Sequence, residues 1–594
     1  MYLKCHSRLK DDKVHRYWSI VESVRTRKGT IKRQLLYLGE INDSQQAQWC
    51  SALDVLEGSA DSSVKQMSLF PEDRTPPTDA INPVQIRLSQ MTLRHPRQWG
   101  GCWLAMELWH QLGLDEFWTS RLPVSRKGTK WLNVLKTQVS YRLLDPGSEW
   151  RLHRDWFKTS AMRDLLDEDD DVAAKNTLYR CLDKLCEHKQ ELFSFLKAKW
   201  CLLFKTSYDV LLYDLTSTYF ECAPTAKGDG LRRFGYSRDK RPDCVQVVIA
   251  LIVTPEGFPV AYEVMPGNTS DRTTLPSFLG KIEKQYGKRN RLWIMDRGIP
   301  TEEALKQMRA EGASYLVGTP RGRLSKLENQ LLAQPWKLVQ SEIEVKLARD
   351  GEDLYVLTRS GGRRDKEQSM RRRKLKKLWK RLHEIRDMKN LKRDDLLLKL
   401  GAAKQEAGKA WAVVDIQLPE PRQSVTPKTL TFSLNREQLR RIRRGEGTYL
   451  LRTNLSAGNP EELWKQYIVL TEVEQAFKEL KNDLDVRPIY HQKDSRIEAH
   501  IFVSFLSYCL QVTLKHRAKA KAPGLTPRAI LEKFKAIQMI DVHLPTTDNR
   551  NLILPRYTQP EKDIRLLLHQ LDLSLPDQPP PRIEDLKSKC GADL

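Results

Sequence analysis

The sequence predicts a multidomain α/β protein, and three observations lead there. At 594 residues the chain is too long for a single core, so about two to four domains are expected. Apolar strand-like runs at 208–220, 244–254 and 258–267 give way to alternating helix and strand patterns as far as 322, the pattern of an antiparallel meander beside a parallel portion of one sheet. The flanks differ: 98–200 is helical by period, and 323–447 mixes strand-like pieces with one very basic helix.

Taken in order, residues 1–56 make a small N-terminal β-containing unit, because 17–41 (YWSIVESVRTRKGTIKRQLLYLGEI) alternate around the turn-like RKGT. Residues 57–97 turn to Gly, Ser, Asp and Pro and read as a linker. In 98–200, WLAMELWHQLGL, KWLNVLKTQVSYRLL and TLYRCLDKLCEHKQELFSFLKAKW keep a helical apolar period. With Trp and Arg at the helix ends (EWRLHRDWFK), the region fits a DNA-reading domain and equally a plain bundle with snorkelling arginines.

The first part of the α/β core is 201–322, with strands YDVLLYDLTSTYF, CVQVVIALIVT, FPVAYEVMPG, RLWIMDRGI and YLVGTP and helices TTLPSFLGKIEKQYG and EEALKQMRAEGA. Residues 323–447 then interrupt it. Their basic helix, RRRKLKKLWKRLHEIRDMKNLKR, lines up Leu375, Leu378, Trp379, Leu382 and Ile385, which suits a solvated coiled hairpin or a phosphate-tracking surface. The core resumes over 448–520. Residues 521–594 are a C-terminal region for dimerisation or DNA contact, with a Pro-rich end of about fifteen residues expected to be disordered.

A formal charge of +24, spread through a chain that also holds 76 acidic residues, points to a polyanionic partner such as double-stranded DNA. Ten cysteines without a CxxC pair fit a reducing compartment, and MYLKCHSRLKDDKVHRYW has no apolar core of a signal peptide, so a cytoplasmic protein is expected. The longest apolar run, IFVSFLSYCLQVTL at 501–514, is shorter than the roughly 20 residues that span a bilayer, so it reads as a buried helix and no membrane is expected.

Chemistry enters through carboxylates. Asp214 and Asp296 each end an apolar strand, where open α/β sheets place their ligands. Each alone also fits a strand-end or capping role. YIVLTEVEQAFKELK, 467–481, reads as one amphipathic helix. At about 100° per residue Glu472 points to solvent, whereas Glu474 falls within about 60° of Tyr467, Leu470 and Phe477, on the edge of the packing face, flanked by Lys478 and Lys481. Three converging acids stay ionised only with cations between them. All-oxygen ligands select hard ions, so two Mg2+ or Mn2+ ions held by Asp214, Asp296 and Glu474 would suit in-line displacement at a phosphodiester.

DLTSTYFE around Asp214, GYSRDKRPD, MPGNTSD, MDRGI around Asp296, and Tyr467, Glu474 and Lys481 at the spacings of a Tyr-x2-Arg-x3-Glu-x6-Lys signature together resemble the DDE transposases of bacterial insertion sequences. The resemblance covers about 200–515. It implies a ribonuclease H-like catalytic core carrying Asp214, Asp296 and Glu474, interrupted by a β-rich insertion that here also holds the long basic helix. It further implies nicking at the element end, attack of the freed 3′-hydroxyl on target DNA, and a homodimer pairing two ends. Tyr467, Lys481, Lys478 and Arg297 would contact DNA. Leu470 departs from the signature arginine: either Arg487 or Arg297 supplies the phosphate contact, or this subgroup manages without it. A catalytically idle DNA-binding derivative and a stand-alone metal-dependent nuclease are the alternatives.

Overall fold

The computed structural model describes residues 2–10, 13–26, 29–39, 45, 49, 86–221, 230–286, 291–296, 299–319, 335–340, 343–388, 391–420, 423, 425–455, 459–484 and 486–585. The chain divides into two compact units, one of Met1–Thr206, Leu215–Thr269 and Glu474–Leu594, the other of Ser207–Asp214 and Ser270–Val473.

The first unit opens with β1 (Tyr2–Lys10), β2 (Lys13–Thr26) and β3 (Gly29–Gly39), an antiparallel sheet in that order. The expected hairpin is β2–β3, and β1 adds a strand that its polar sequence does not announce. Ile20, Leu36 and Leu38 bury one face. The expected linker ends in another strand, β4 (Thr92–Gln98). Polar, exposed and containing a proline, β4 has the marks of an edge. It pairs with β16 (Gln538–Pro545) in a sheet of order β18–β17–β16–β4, with β17 (Arg550–Tyr557) and β18 (Arg582–Asp585). Arg97 at its end is clamped between Asp164 (2.6 Å) and Asp541 (2.9 Å). Thus β18 takes part of the tail expected to be disordered, while 586–594 lie outside the described residues.

The region 98–200 is helical as expected: α1 (Gly100–Gln111), α2 (Leu114–Thr119), α3 (Trp131–Leu144), α4 (Lys175–Leu182) and α5 (Lys189–Phe204). Most of its tryptophans are core, with Trp99, Trp109, Trp118 and Trp200 essentially solvent-free, while Trp150 is exposed. These helices surround α13 (Asp494–Lys521), which packs on α1, α3, α4 and α14 (Pro527–Phe534). The apolar run at 501–514 is therefore the centre of a 28-residue helix. By length and composition α13 could cross a bilayer, but 94% of its most apolar window is buried in protein. The unit also holds the hairpin of β6 (Gln246–Val253) and β7 (Pro259–Pro266), whose first strand is buried at every position.

The second unit is built on strands in the order β10–β11–β12–β15–β9–β8–β5: Lys337–Gln340, Ile343–Asp350, Asp353–Ser360, Thr448–Thr453, Ser314–Thr319, Leu292–Met295 and the first half of Val210–Tyr219. Strands β5, β8 and β9 are parallel, linked through α6 (Asp271–Tyr286) and α7 (Glu302–Ala310), and the others are antiparallel. The chain is thus mixed α/β with a large sheet. Strands β10–β12, expected in the insertion, extend that same sheet. What projects from it is a helical hairpin, α8 (Gly361–Arg386) and α9 (Arg393–Ala407), closed by Leu378, Leu382, Ile385, Leu396 and Leu400. Beside it lie the two-stranded β13–β14 (Val414–Gln417, Thr431–Leu434) and α10 (Arg436–Gly445). The apolar line read from the sequence is this hairpin's seam, and Arg372, Arg373, Lys374, Lys376, Lys377 and Lys380 stand exposed along α8.

Candidate active site

Two of the three expected acids meet by strand register. Strands β5 and β8 are parallel neighbours paired from Val210↔Leu292 to Tyr213↔Met295. Asp214 and Asp296 are the next residues of each chain segment, on strands about 4.8 Å apart; β8 stops at Met295, whereas β5 continues to Tyr219, so Asp214 lies inside its strand and not, as expected, at its end. Asp214 is half-buried and Asp296 exposed. Strand β8 stops there because Leu-Trp-Ile-Met exhausts its buried run and the chain turns, with Ile299 N–H donating to the Asp296 carbonyl (3.3 Å). Two carboxylates so placed repel each other unless a cation or donor lies between them, and hard oxygen ligands suit Mg2+ or Mn2+.

The third acid corrects the sequence reading. Residues 467–481 are not one helix: α11 (Pro460–Ile468) ends, Val469 turns, and α12 (Leu470–Lys478) begins, followed by a π-helical turn over Glu479–Asp483. The break has a local cause. Thr471 Oγ1 donates to the Ile468 carbonyl (2.9 Å), and Glu472 N–H turns to Val469 instead (2.8 Å), within a β-branched Ile-Val-x-Thr run that disfavours helix. The phase resets, so Tyr467 is not on the helix of Glu474. On α12, Leu470, Val473, Ala476 and Phe477 are buried, Glu474 and Lys478 are exposed, and Glu472 is half-buried. The expected placement of Glu474 on the packing edge and of Glu472 in solvent is therefore overturned.

Tyr467 lies in the second unit, stacked on Tyr449 (centroids 6.1 Å, 26°), whose hydroxyl accepts from Trp464 Nε1 and whose ring lies 5.1 Å from the Arg363 guanidinium. Leu470, at the signature arginine position, is 6% exposed and packs as an apolar residue. Arg297 lies outside the described residues.

The Lys481 side chain is 11% exposed. It projects from the π-helical turn and donates to Asp239 Oδ1 (2.9 Å), and Arg487 pairs with the same oxygen. Burial lowers the Lys481 pKa, the Asp239 carboxylate partly offsets this, and the positive Arg487 and Arg238 add to the lowering. Asp239 belongs to the GYSRDKRPD stretch, and the geometry accounts for much of that stretch. A Cβ on Gly235 would lie 2.0 Å from the Gly267 carbonyl, so the motif glycines let two backbones touch. Gln246 ties both segments by donating to the Tyr236 and Gly267 carbonyls (3.1 and 2.9 Å). Arg238 N–H donates to Ser217 Oγ on β5 (3.2 Å), and Arg241 N–H to Ser237 Oγ (3.0 Å). Sequence reasoning quoted the motif but did not single out Asp239.

A second polar cluster went unforeseen. Among the described residues, Glu149, His491 and His500 are grouped closely enough to hold a metal ion. His491 Nε2 and His500 Nδ1 lie 3.2 and 3.4 Å from Glu149 Oε1, with Arg142 Nη2 3.9 Å from the same oxygen and 3.4 Å from His500. Burial opposes the charge on Glu149, yet the hydrogen bonds and charges of both histidines hold its pKa well below the usual value. With a buried guanidinium already facing the carboxylate, a dication would add uncompensated positive charge, so the cluster suits an internal ion pair. It shares no residue with the three expected acids.

A family model described as the transposase DDE domain matches residues 206–510, just over half of the chain. The chain belongs to that family. The matched span of this DDE transposase starts just before β5 and ends within α13, so it contains Asp214, Asp239, Asp296, Glu474, Lys481 and Arg487. Among solved structures the chain is similar to a piggyBac transposase in a synaptic complex with hairpin DNA, at 8% identity and a TM-score of 0.35, covering 73% of this chain and 79% of that one. No curated protein matches it.

Proposed function

We propose that this protein is the transposase of a bacterial insertion sequence, a cytoplasmic, nucleoid-associated homodimer that binds the element ends as double-stranded DNA, cuts them and joins them to target DNA. The observation that carries the reading is that Asp214 and Asp296 directly follow Tyr213↔Met295, the last register pair of the parallel strands β5 and β8, in a chain of the transposase DDE domain family. Family membership implies divalent metal use, and the donor set fits: Asp214, Asp296 and Glu474 would hold Mg2+ or Mn2+. When bound, two such ions supply activation of the attacking oxygen and charge for the leaving oxygen. The protein's own part is positioning. The β5–β8 register holds the two aspartates' backbone positions, Glu474 is exposed on its own helix, and Lys481, Lys478, Arg297 and Tyr467 would contact the DNA.

The test is cleavage of a duplex carrying the sequence that flanks the gene, with purified protein and Mg2+. Asp214→Asn, Asp296→Asn and Glu474→Gln bind this DNA but reduce cleavage to background, while Glu472→Gln cleaves as the native protein does. Native-rate cleavage by any one of the three would remove that residue from the site. Tight end binding without cleavage by the unaltered protein would favour an idle DNA-binding derivative.

A further inference from the structure

The convergence of Lys481 and Arg487 on one oxygen of Asp239 is more than the catalytic reading requires. We infer that Asp239 is a positioning residue that fixes Lys481 and Arg487 as a paired subsite for a DNA phosphate, and that Arg487 supplies the cation missing where Leu470 replaces the signature arginine. This inference rests on the proposed function and specifies one of its contacts.

The side chains of Asp239, Lys481 and Arg487 are 9%, 11% and 25% exposed, so access rises from the carboxylate outward to the guanidinium. One carboxylate between two cations leaves a net positive charge. Arg487 engages Asp239 through Nη1 and Asn482 Oδ1 through Nη2 (2.9 Å), which leaves three of its N–H groups to meet an anion, and the Lys481 ammonium keeps two. Lys481 and Asn482 belong to one π-helical turn, a feature that re-aims side chains and recurs at functional sites. Arg487 follows five residues after Asn482, so one short segment presents both cations. Asp239 is held independently, by the backbone approach of Gly235 to Gly267 and by the Arg238 N–H to Ser217 bond, three residues along β5 from Asp214. Its second oxygen is buried and, among the described residues, has no hydrogen-bond partner, so the carboxylate's contacts there are the two cations. Two separately held segments thus meet in one cation pair on Asp239. Leu470, buried among apolar residues, has no cation to offer.

The experiment uses the full chain with Mg2+ and the flanking-sequence duplex, comparing Asp239→Asn, Arg487→Gln and Arg487→Lys with the native protein. Charge alone predicts tighter binding by Asp239→Asn, since a negative group is removed. Positioning predicts a cleavage rate at saturating DNA at least about 10-fold lower. Arg487→Gln is expected to lower the slope of log affinity against log salt by about 0.9, the loss of one phosphate contact, and Arg487→Lys to restore part of it. Native rates and slopes in Asp239→Asn and Arg487→Gln, with Asp214→Asn inactive, would overturn this inference and leave the proposed function standing. Cleavage by Asp214→Asn would remove the proposed function instead. If Asp239→Asn melts well below the native protein, the salt slope of Arg487→Gln, whose side chain is the most exposed of the three, decides alone.

Discussion

Replacing Glu149 by glutamine should destabilise the first unit more than any surface change, although the residue is remote from the proposed chemistry in sequence. Its carboxylate and Arg142 are 9% and 4% exposed, and glutamine keeps the shape while removing the charge that Arg142 and the two histidines face. Arginine cannot shed its proton, so a buried guanidinium loses the Glu149 charge it faces, at a cost of up to about 3–5 kcal/mol. At about 2 °C per kcal/mol for a unit this large, the melting temperature should fall by roughly 6–10 °C in calorimetry or circular dichroism at neutral pH. Arg142→Leu/Glu149→Leu should recover much of that loss, because exchanging a buried pair for apolar groups is often neutral. The knot also sets a pH dependence. Burial, and then the charge of Arg142, lower His500 from 6.5 to about 4, so the unfolded chain binds this proton first. Its contribution is complete above pH 6.5 and lost as pH falls toward 4, amounting to about 3 kcal/mol at most. Glu149, also lowered, acts in the same direction but below its ordinary value of 4.5. His500→Gln should therefore flatten the decline between pH 6.5 and 4. A melting temperature within about 2 °C of native for Glu149→Gln, or the same pH profile for His500→Gln, refutes the ion-pair reading.

Gly267→Ala places a Cβ 2.1 Å from the Gln246 carbonyl and should melt the 230–267 region, seen as faster proteolysis there; an unchanged cleavage pattern would contradict it. On α8, Lys376→Ala/Lys377→Ala/Lys380→Ala should reduce the salt slope of DNA binding by up to about 0.9 per lost phosphate contact, measured between 50 and 200 mM salt as the approximate working range. An unchanged slope would make this face a solvated one. The three-acid and Asp239 variants, set out above, give the remaining predictions.

The α/β portion was legible because its signals are local. Strands β5 to β9 are apolar runs bounded by Pro, Gly and Asp, and α7 carries its period and a Thr301 cap that accepts from Ala304 N–H. Strands β1, β4 and β18 were not, since each is polar and becomes a strand only by pairing with a neighbour, which for β4 lies far along the chain. The same distinction divides the site. Asp214 and Asp296 could be picked out because each follows an apolar strand run, although β5 in fact continues past Asp214 to Tyr219, and their adjacency depends on β5 lying next to β8 rather than on any local pattern. Asp239 was missed because RDKRPD reads as a solvated charge run, while its partner Lys481 lies 242 residues away. Glu149 and His500 were missed for the same reason, 351 residues apart.

The misjudged face of Glu474 strengthens the catalytic reading rather than weakening it. A carboxylate on a packing edge would need a buried counter-charge to remain ionised, as Glu149 needs Arg142, and it would then be committed to structure. The interruption at Val469 removes that demand. By taking the Ile468 carbonyl, Thr471 restarts the helix with Val473, Ala476 and Phe477 inward and Glu474 outward. The acid is thereby exposed, as the proposed role requires, while its neighbours anchor the helix. What marks Glu474 is therefore not an anomalous place on a hydrophobic stripe but its position one turn after a helix restart, on a helix whose far end leads into the turn that carries Lys481.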